Sequence, residues 1–312
     1  MDTVALRTSI PLFILLGLGF LSRNIGILRA GDERVFSSYV YFFALPALFF
    51  INMAEISFSR ETFRFMLAST IPLFVILALY LILFSFIRIN KNTRYLLILS
   101  TIFGNVAFFG IPFIMFAFPT PQGERLAALS SASISIVGVA VSLTVLELYH
   151  LDKVTFWEGG KHTFKRLSRN PLILSIVCGI LLSFFGIVIP SHLKTSLHML
   201  GSSTSPVAIF MLGVFLYGRK YTNIGKAFAL SSLRIFVLPL IAFITTTLLK
   251  LPGIEKVTVI LMHSMPVAIS MIVLSERYNF YEDVIASLIL ITSIGAGVYL
   301  NLWLFVLGHS YI

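Results

Sequence analysis

Residues 65–87 contain no charged side chain, and several other stretches of comparable length are nearly as apolar. About 20 apolar residues span the hydrocarbon core of a bilayer, so each such stretch predicts a transmembrane helix. Composition agrees. The chain is 58% hydrophobic and 12% charged, with a mean hydropathy of +0.97, whereas a soluble domain is about a quarter charged. Too few polar groups exist to cover the apolar surface, which makes this an integral membrane protein. With short loops, 312 residues hold about ten crossings.

The predicted segments run from about Thr8 to Leu21, Val35 to Met53, Phe63 to Ile87, Tyr95 to Phe118 and Leu126 to Tyr149. After a polar connection, Leu151 to Asn170, they continue as Pro171 to Ile189, Leu193 to Tyr217, Phe228 to Leu249, Lys256 to Arg277 and Val284 to Leu307. The first segment lacks a strongly basic leader and a small-residue cleavage site, so it is expected to stay as an uncleaved helix. The fifth is rich in small residues (Ser130, Ser131, Ala132, Ser133, Gly138) that let helices approach closely. The only cysteine, Cys178, lies in an apolar segment, which excludes an intrachain disulfide.

The net charge of +10 does not mark a nucleic-acid binder, because the basic residues are dispersed over segment ends, where they set orientation. An extracytoplasmic N-terminus places about 15 basic residues in inner loops and about 7 outside. The inner set includes Arg23, Arg88, Lys161, Arg219 and Arg277; the outer set includes Arg60, Arg125 and Lys250. Both termini of a ten-helix cell-membrane protein are then extracytoplasmic.

The two halves carry matching prolines. Pro11 and Pro171, and Pro46 and Pro206, are each 160 positions apart (171 − 11 and 206 − 46). Pro72 and Pro239 open similar apolar runs, and Pro112 and Pro266 interrupt segments four and nine. Five segments per half is odd, so the halves are inverted: residues 1–150 form one repeat, 151–170 a cytoplasmic connection and 171–312 the second repeat. Interrupted segments at matching places in inverted halves point to a transporter's substrate site.

Segment four carries Gly104, Asn105, Gly110 and Pro112; segment nine carries His263, Ser264, Pro266 and Ser270. Proline removes a backbone N–H and suits the first turn of a new helix. Pro112 and Pro266 are therefore expected to start half-helices, whose positive N-terminal ends suit a carboxylate. Asn105 supplies a donor and an acceptor, and Ser264 and Ser270 flank the second break. These residues are the candidate substrate site, with Ser133 and Ser135 in reach of the same space. The alternatives are that Asn105 only joins helices, that the prolines only kink them, and that the serines bond their own backbones. His263 titrates near neutrality and could carry a coupling proton; a packed neutral ring is the plainer reading. Arg234 is expected to snorkel to the cytoplasmic interface.

The stretch Gly104-Asn105 through Gly110-Ile111-Pro112 resembles the auxin efflux carrier family, which also contains proteins assigned as malate and malonate permeases. Further likeness lies in Asn170-Pro171-Leu172-Ile173, in Gly201 to Gly213, in Arg234 before Pro239, and in Met265-Pro266 running into Glu276-Arg277-Tyr278. The resemblance covers nearly the whole chain. It implies ten helices in two inverted five-helix repeats, like bile acid/sodium symporters and sodium/proton antiporters, with broken helices four and nine crossing. It also implies a scaffold of segments one, two, six and seven, a moving domain from the rest, and a carboxylate contact at Asn105. Dimerisation through the scaffold follows from the resemblance alone. Val267 stands where plant members carry a polar residue, which argues against auxin itself.

No Gly-rich phosphate loop, His-Glu-x-x-His or Gly-x-Ser-x-Gly occurs, and no metal-ligand spacing or cofactor motif is present. The expected function is secondary transport of a small organic anion, coupled to a proton or sodium. The competing readings are a sodium-coupled symporter of amphipathic anions and an anion-binding membrane receptor.

Overall fold

The computed structural model describes residues 2–56, 59–150, 168–219 and 221–311 (backbone only at 2–9, 147, 150, 273, 276, 277 and 309–311). Most of the polar connection, with Lys153, Lys161, Lys165 and Arg166, lies outside the described residues. Among those residues regular structure is helical, apart from one isolated backbone bridge. The helices are α1 (Asp2–Asn24), α2 (Glu33–Ala54), α3 (Arg60–Phe86), α4 (Lys91–Ile102), α5 (Val106–Ala117) and α6 (Pro121–His150). They continue as α7 (Pro171–Phe184), α8 (Ser191–Leu216), α9 (Ile224–Leu248), α10 (Gly253–His263), α11 (Ser270–Tyr278) and α12 (Glu282–Tyr311). Six of them, α2, α3, α6, α8, α9 and α12, are long and apolar enough to cross a membrane. Stretches of α1, α5 and α7 are shorter apolar helices. This is a multi-pass membrane protein. Segment four appears as α4 and α5, and segment nine as α10 and α11.

Proline shapes several of these helices in one way. A proline cannot donate to the carbonyl four residues back, and its ring crowds that carbonyl. In α2, α5 and α9 the turn before Pro46, Pro112 and Pro239 widens into a π-type turn, over Val40–Ala44, Val106–Gly110 and Leu233–Val237. The residue just before the proline then reaches five residues back: Leu45 N–H to Val40 O and Leu238 N–H to Leu233 O. A single wide turn of this kind absorbs the misfit without ending the helix. The carbonyl of Ile235, four residues before Pro239, accepts instead from the indole Nε1–H of Trp303 at 3.0 Å. The prolines matched to these in the sequence are treated differently. Pro206 follows a break in α8 at Ser203, Pro72 sits inside α3, and Pro266 lies outside any helix.

The chain divides into two compact units. The first comprises Met1–Phe63, Ala107–Ala132 and Arg169–Arg219. It therefore holds the four segments of the implied scaffold, and α5 with the start of α6 besides. In it α1 packs along the second half of α8, and α2 packs on α7. Asn170 caps α7, its Oδ1 accepting from Leu172 N–H at 2.9 Å, with Pro171 in the first turn. Tyr39 and Ser203 share a 2.7 Å hydroxyl bond where α8 is interrupted. The α1–α8 contact depends on two glycines. A Cβ on Gly19 would strike the carbonyl of Phe210, and one on Gly213 would strike that of Leu16. Backbones this close are the small-residue packing that replaces the hydrophobic effect between helices in lipid.

The second unit comprises Arg64–Val106, Ser133–Ser168 and Lys220–Ile312. There α9 packs on α12 and α4, while α10 and α11 pack on α12. Tyr80 of α3 bonds Thr101 of α4 through hydroxyls at 2.6 Å. Trp303→Phe keeps the ring bulk but leaves the Ile235 carbonyl unpartnered. The expected loss is about 1–3 kcal/mol of stability, read as a lower thermal midpoint in detergent. Gly213→Val forces α1 and α8 apart, and an overpacking cost of about 1–3 kcal/mol or more is expected. Both variants are tested by the same melt; an unchanged midpoint for either refutes the packing assigned to it.

Candidate functional site at the paired breaks

α4 starts at an Asn90 cap, whose Oδ1 accepts from Thr93 N–H at 2.8 Å, and ends at Ile102. The last carbonyls of a helix need partners that a continuing helix would have supplied. Leu99 O accepts from Phe103 N–H at 3.1 Å and Ile102 O from Gly104 N–H at 3.0 Å. Thr101 O accepts from Nη1 of Arg234. The chain is unwound at Phe103, Gly104 and Asn105 and becomes helical again at Val106.

α10 ends at His263, and Ser264 turns back on it, donating its N–H (3.1 Å) and its hydroxyl (2.9 Å) to Ile260 O. Residues Ser264 to Ile269 are non-helical, and α11 starts at Ser270. The two unwound pieces pair antiparallel, with Gly104 opposite Val267. Asn105 N–H donates to Pro266 O at 2.7 Å, and Ala268 N–H donates to Phe103 O at 3.0 Å. Val267 N–H, facing away from this pair, donates to Thr292 Oγ1 of α12 at 3.1 Å. Pro266 has no N–H to place, so it suits a piece of chain with few partners on that side.

Two expectations need correction. Pro112 and Pro266 do not begin the half-helices. α5 resumes six residues before Pro112, because the wide turn Val106–Gly110 lets the helix run through the proline. At the second break, pairing with residues 103–105 holds the chain extended past Pro266, and helix returns only at Ser270. The break in segment four is thus set by Gly104 and its neighbours. Arg234 does not snorkel. It is 1% exposed, and its Nε donates to Met265 O at 2.6 Å while Nη1 reaches Thr101 O. The reason is electrostatic: carbonyls at the C-terminal ends of two helices carry partial negative charge that suits a cation. Gly104 makes room for it, since a Cβ there would overlap the guanidinium.

The predicted site residues separate into those joined at the breaks and those that are not. Gly104, Asn105 and Pro266 meet through the bridge, and Ser264 lies just before it with its hydroxyl turned to its own helix. Ser270 is half-buried at the start of α11. Gly110 and Pro112 lie further along α5, in the first compact unit. Ser133 is buried and Ser135 half-buried on α6. Asn105 is 3% exposed, and its Nδ2 donor has no partner. His263 is fully buried with Nε2 2.9 Å from Ser69 O. A carbonyl only accepts, so Nε2 carries the hydrogen, and Nδ1 is left buried without a partner. Sequence reasoning missed the part played by Arg234, although an intramembrane arginine is itself a signal. It also missed Thr292, for which no signal existed. Among the described residues no three His, Cys, Asp or Glu side chains converge to hold a metal ion.

Gly104→Ala drives a methyl group into the guanidinium of Arg234 and is expected to cost about 1–3 kcal/mol. Gly138→Ala on α6, whose Cβ would make ordinary contact with Ile102 O at 3.7 Å, is the control. The expected melt lowers the first midpoint and spares the second; equal behaviour of the two would refute the contact.

The sequence profile of the membrane transport protein family matches residues 4–304. A protein of Methanocaldococcus jannaschii named "Uncharacterized transporter" is 28% identical over 300 residues, covering 93% of this chain and 94% of its own. The "Uncharacterized transporter YfdV" of Escherichia coli K12 is 22% identical over 305 residues, covering 95% and 96%. A Rhizobium meliloti protein named "Putative malonate transporter" is 24% identical over 305 residues, covering 91% and 90%. These are transporters, not enzymes. The chain belongs to the membrane transport protein family, the auxin efflux carrier family that its break motif resembles.

Proposed function

We propose that this protein is a secondary transporter for a small organic anion, a carboxylate, which it carries by alternating access. The observation that carries the reading is Asn105. An amide donor that is buried and unpartnered is costly, by about 1–3 kcal/mol, unless something else completes it. Here it lies one residue from an arginine-filled crossing of two interrupted helices. A carboxylate oxygen is an acceptor of the right chemistry. The name of the Rhizobium meliloti relative supports a dicarboxylate such as malonate.

In this reading Gly104, Asn105, Pro266 and Ser270 line the substrate site, Gly110 and Pro112 shape the half-helix that follows Asn105, and His263 is the candidate for proton coupling. Ten crossings form two inverted repeats, residues 1–150 and 171–312, joined by a cytoplasmic connection, with both termini extracytoplasmic. The matched prolines and the basic inner loops support this arrangement. The substrate moves when one group of helices shifts against the other.

Proteoliposome uptake of labelled malonate and a panel of mono- and dicarboxylates tests the proposal. Malonate or a close analogue is expected to be carried. Asn105→Ala should weaken its binding by roughly ten- to a hundredfold, the effect of losing one hydrogen bond to a charged group. Unchanged affinity and flux in the folded variant would remove Asn105 from the site.

A further inference from the structure

We propose that Arg234 is a tethered cation: its guanidinium takes the carbonyls at which a free monovalent cation would otherwise bind the crossing, so anion binding at Asn105 needs no sodium. The flux and ligand consequences rest on the transporter reading above; the cation consequences rest on the geometry alone.

Arg234 is a fully buried charge that forms no ion pair among the described residues. A buried charge without compensation is not tolerated. Its compensation is two main-chain oxygens, Thr101 O in the last turn of α4 and Met265 O just past the end of α10. Both lie at the ends of helices that stop inside an apolar segment, one in the last turn and one two residues beyond, so both sit at negative dipole ends. Carbonyls of unwound backbone at half-helix C-terminal ends are what coordinate sodium in transporters with interrupted helices. Here those oxygens face a guanidinium that cannot leave, because it is attached to α9. Two different N–H donors reach two different helices, which a guanidinium fork does and a single ammonium point charge does less well. Gly104 completes the fit by leaving the guanidinium room against the backbone. Arg234 is therefore a positioning residue for Asn105. It fixes the end of α4 one turn before Asn105 and sets a permanent positive charge against the preceding Gly104.

Thermal unfolding of the purified full chain in detergent tests this, with sodium exchanged for choline at constant ionic strength. Wild type is expected to unfold at one midpoint in both, and malonate to raise that midpoint equally in both. A wild-type midpoint that rises with sodium would overturn the proposal. Arg234→Ala empties the carbonyl pair. Guanidinium ion at low concentration is expected to raise the midpoint of this variant while lowering that of wild type; a parallel fall in both overturns the tethered-cation assignment. Arg234→Gln keeps a donor without the charge. It should melt above the alanine variant yet lose the malonate shift, and a shift retained at the wild-type malonate concentration overturns the charge role. Should the alanine variant not fold, Arg234→Lys carries the test: the charge is kept, so a sodium-insensitive midpoint with the malonate shift intact is expected. Loss of that shift in the folded lysine variant counts against the proposal. The sodium and guanidinium arms use no substrate. Absence of any malonate response in wild type therefore counts against the substrate class alone, and those two arms still decide the role of Arg234.

Discussion

Interrupting a helix inside hydrocarbon frees backbone groups that no water can satisfy, at several kcal/mol each. The two interruptions here answer that cost for one another. Asn105 N–H and Pro266 O pair, as do Ala268 N–H and Phe103 O. Thr101 O and Met265 O, which lie outside this exchange, are taken by Arg234, and Val267 N–H by Thr292. Neither break is tenable alone, because each supplies the other's partners. The paired breaks are thus a single structural object made from two distant pieces of sequence, with α9 and α12 as its supports.

Those supports depend on smaller devices of the same kind. Pro239 forces a wide turn in α9, and Arg234 stands on that turn. The carbonyl that Pro239 leaves behind is met by Trp303 of α12. The same helix carries Thr292, which holds the second break. One helix therefore repairs the kink that carries the arginine and also anchors the chain that the arginine grips. The hydroxyl of Tyr299 donates to Thr292 O at 3.0 Å and ties that threonine in turn.

Much of this was legible in the sequence because membrane helices announce themselves by length and hydropathy. The positions of both interruptions followed from residues that are poor in helix interiors, Gly104 and Pro266 among them. What remained hidden was which residue ends the helix. Proline looked like the breaker at 112, but a proline can be absorbed by one wide turn, and no local pattern separates the two outcomes. The role of Arg234 was hidden for a related reason. Its five-residue distance from Pro239 was visible, yet the carbonyls it binds come from residues 101 and 265, and only the tertiary pairing creates them. Thr292 was one apolar-segment threonine among several.

In the proposed transporter, a division of labour between Arg234 and Asn105 would suit transport better than a direct ion pair. A guanidinium bound bidentate to a carboxylate in a dry site is held strongly in orientation and charge, which favours capture but opposes release. Arg234 has given two of its N–H groups to carbonyls, so what it offers a neighbouring anion is field, partly offset by those dipoles. Asn105 contributes a neutral donor, worth a few kcal/mol at most. In that proposal the two together would select an anion over a neutral analogue without binding it too tightly to let go. Because the charge is covalently attached and already solvated by backbone, in the proposed transporter it would stay in place when a substrate departs.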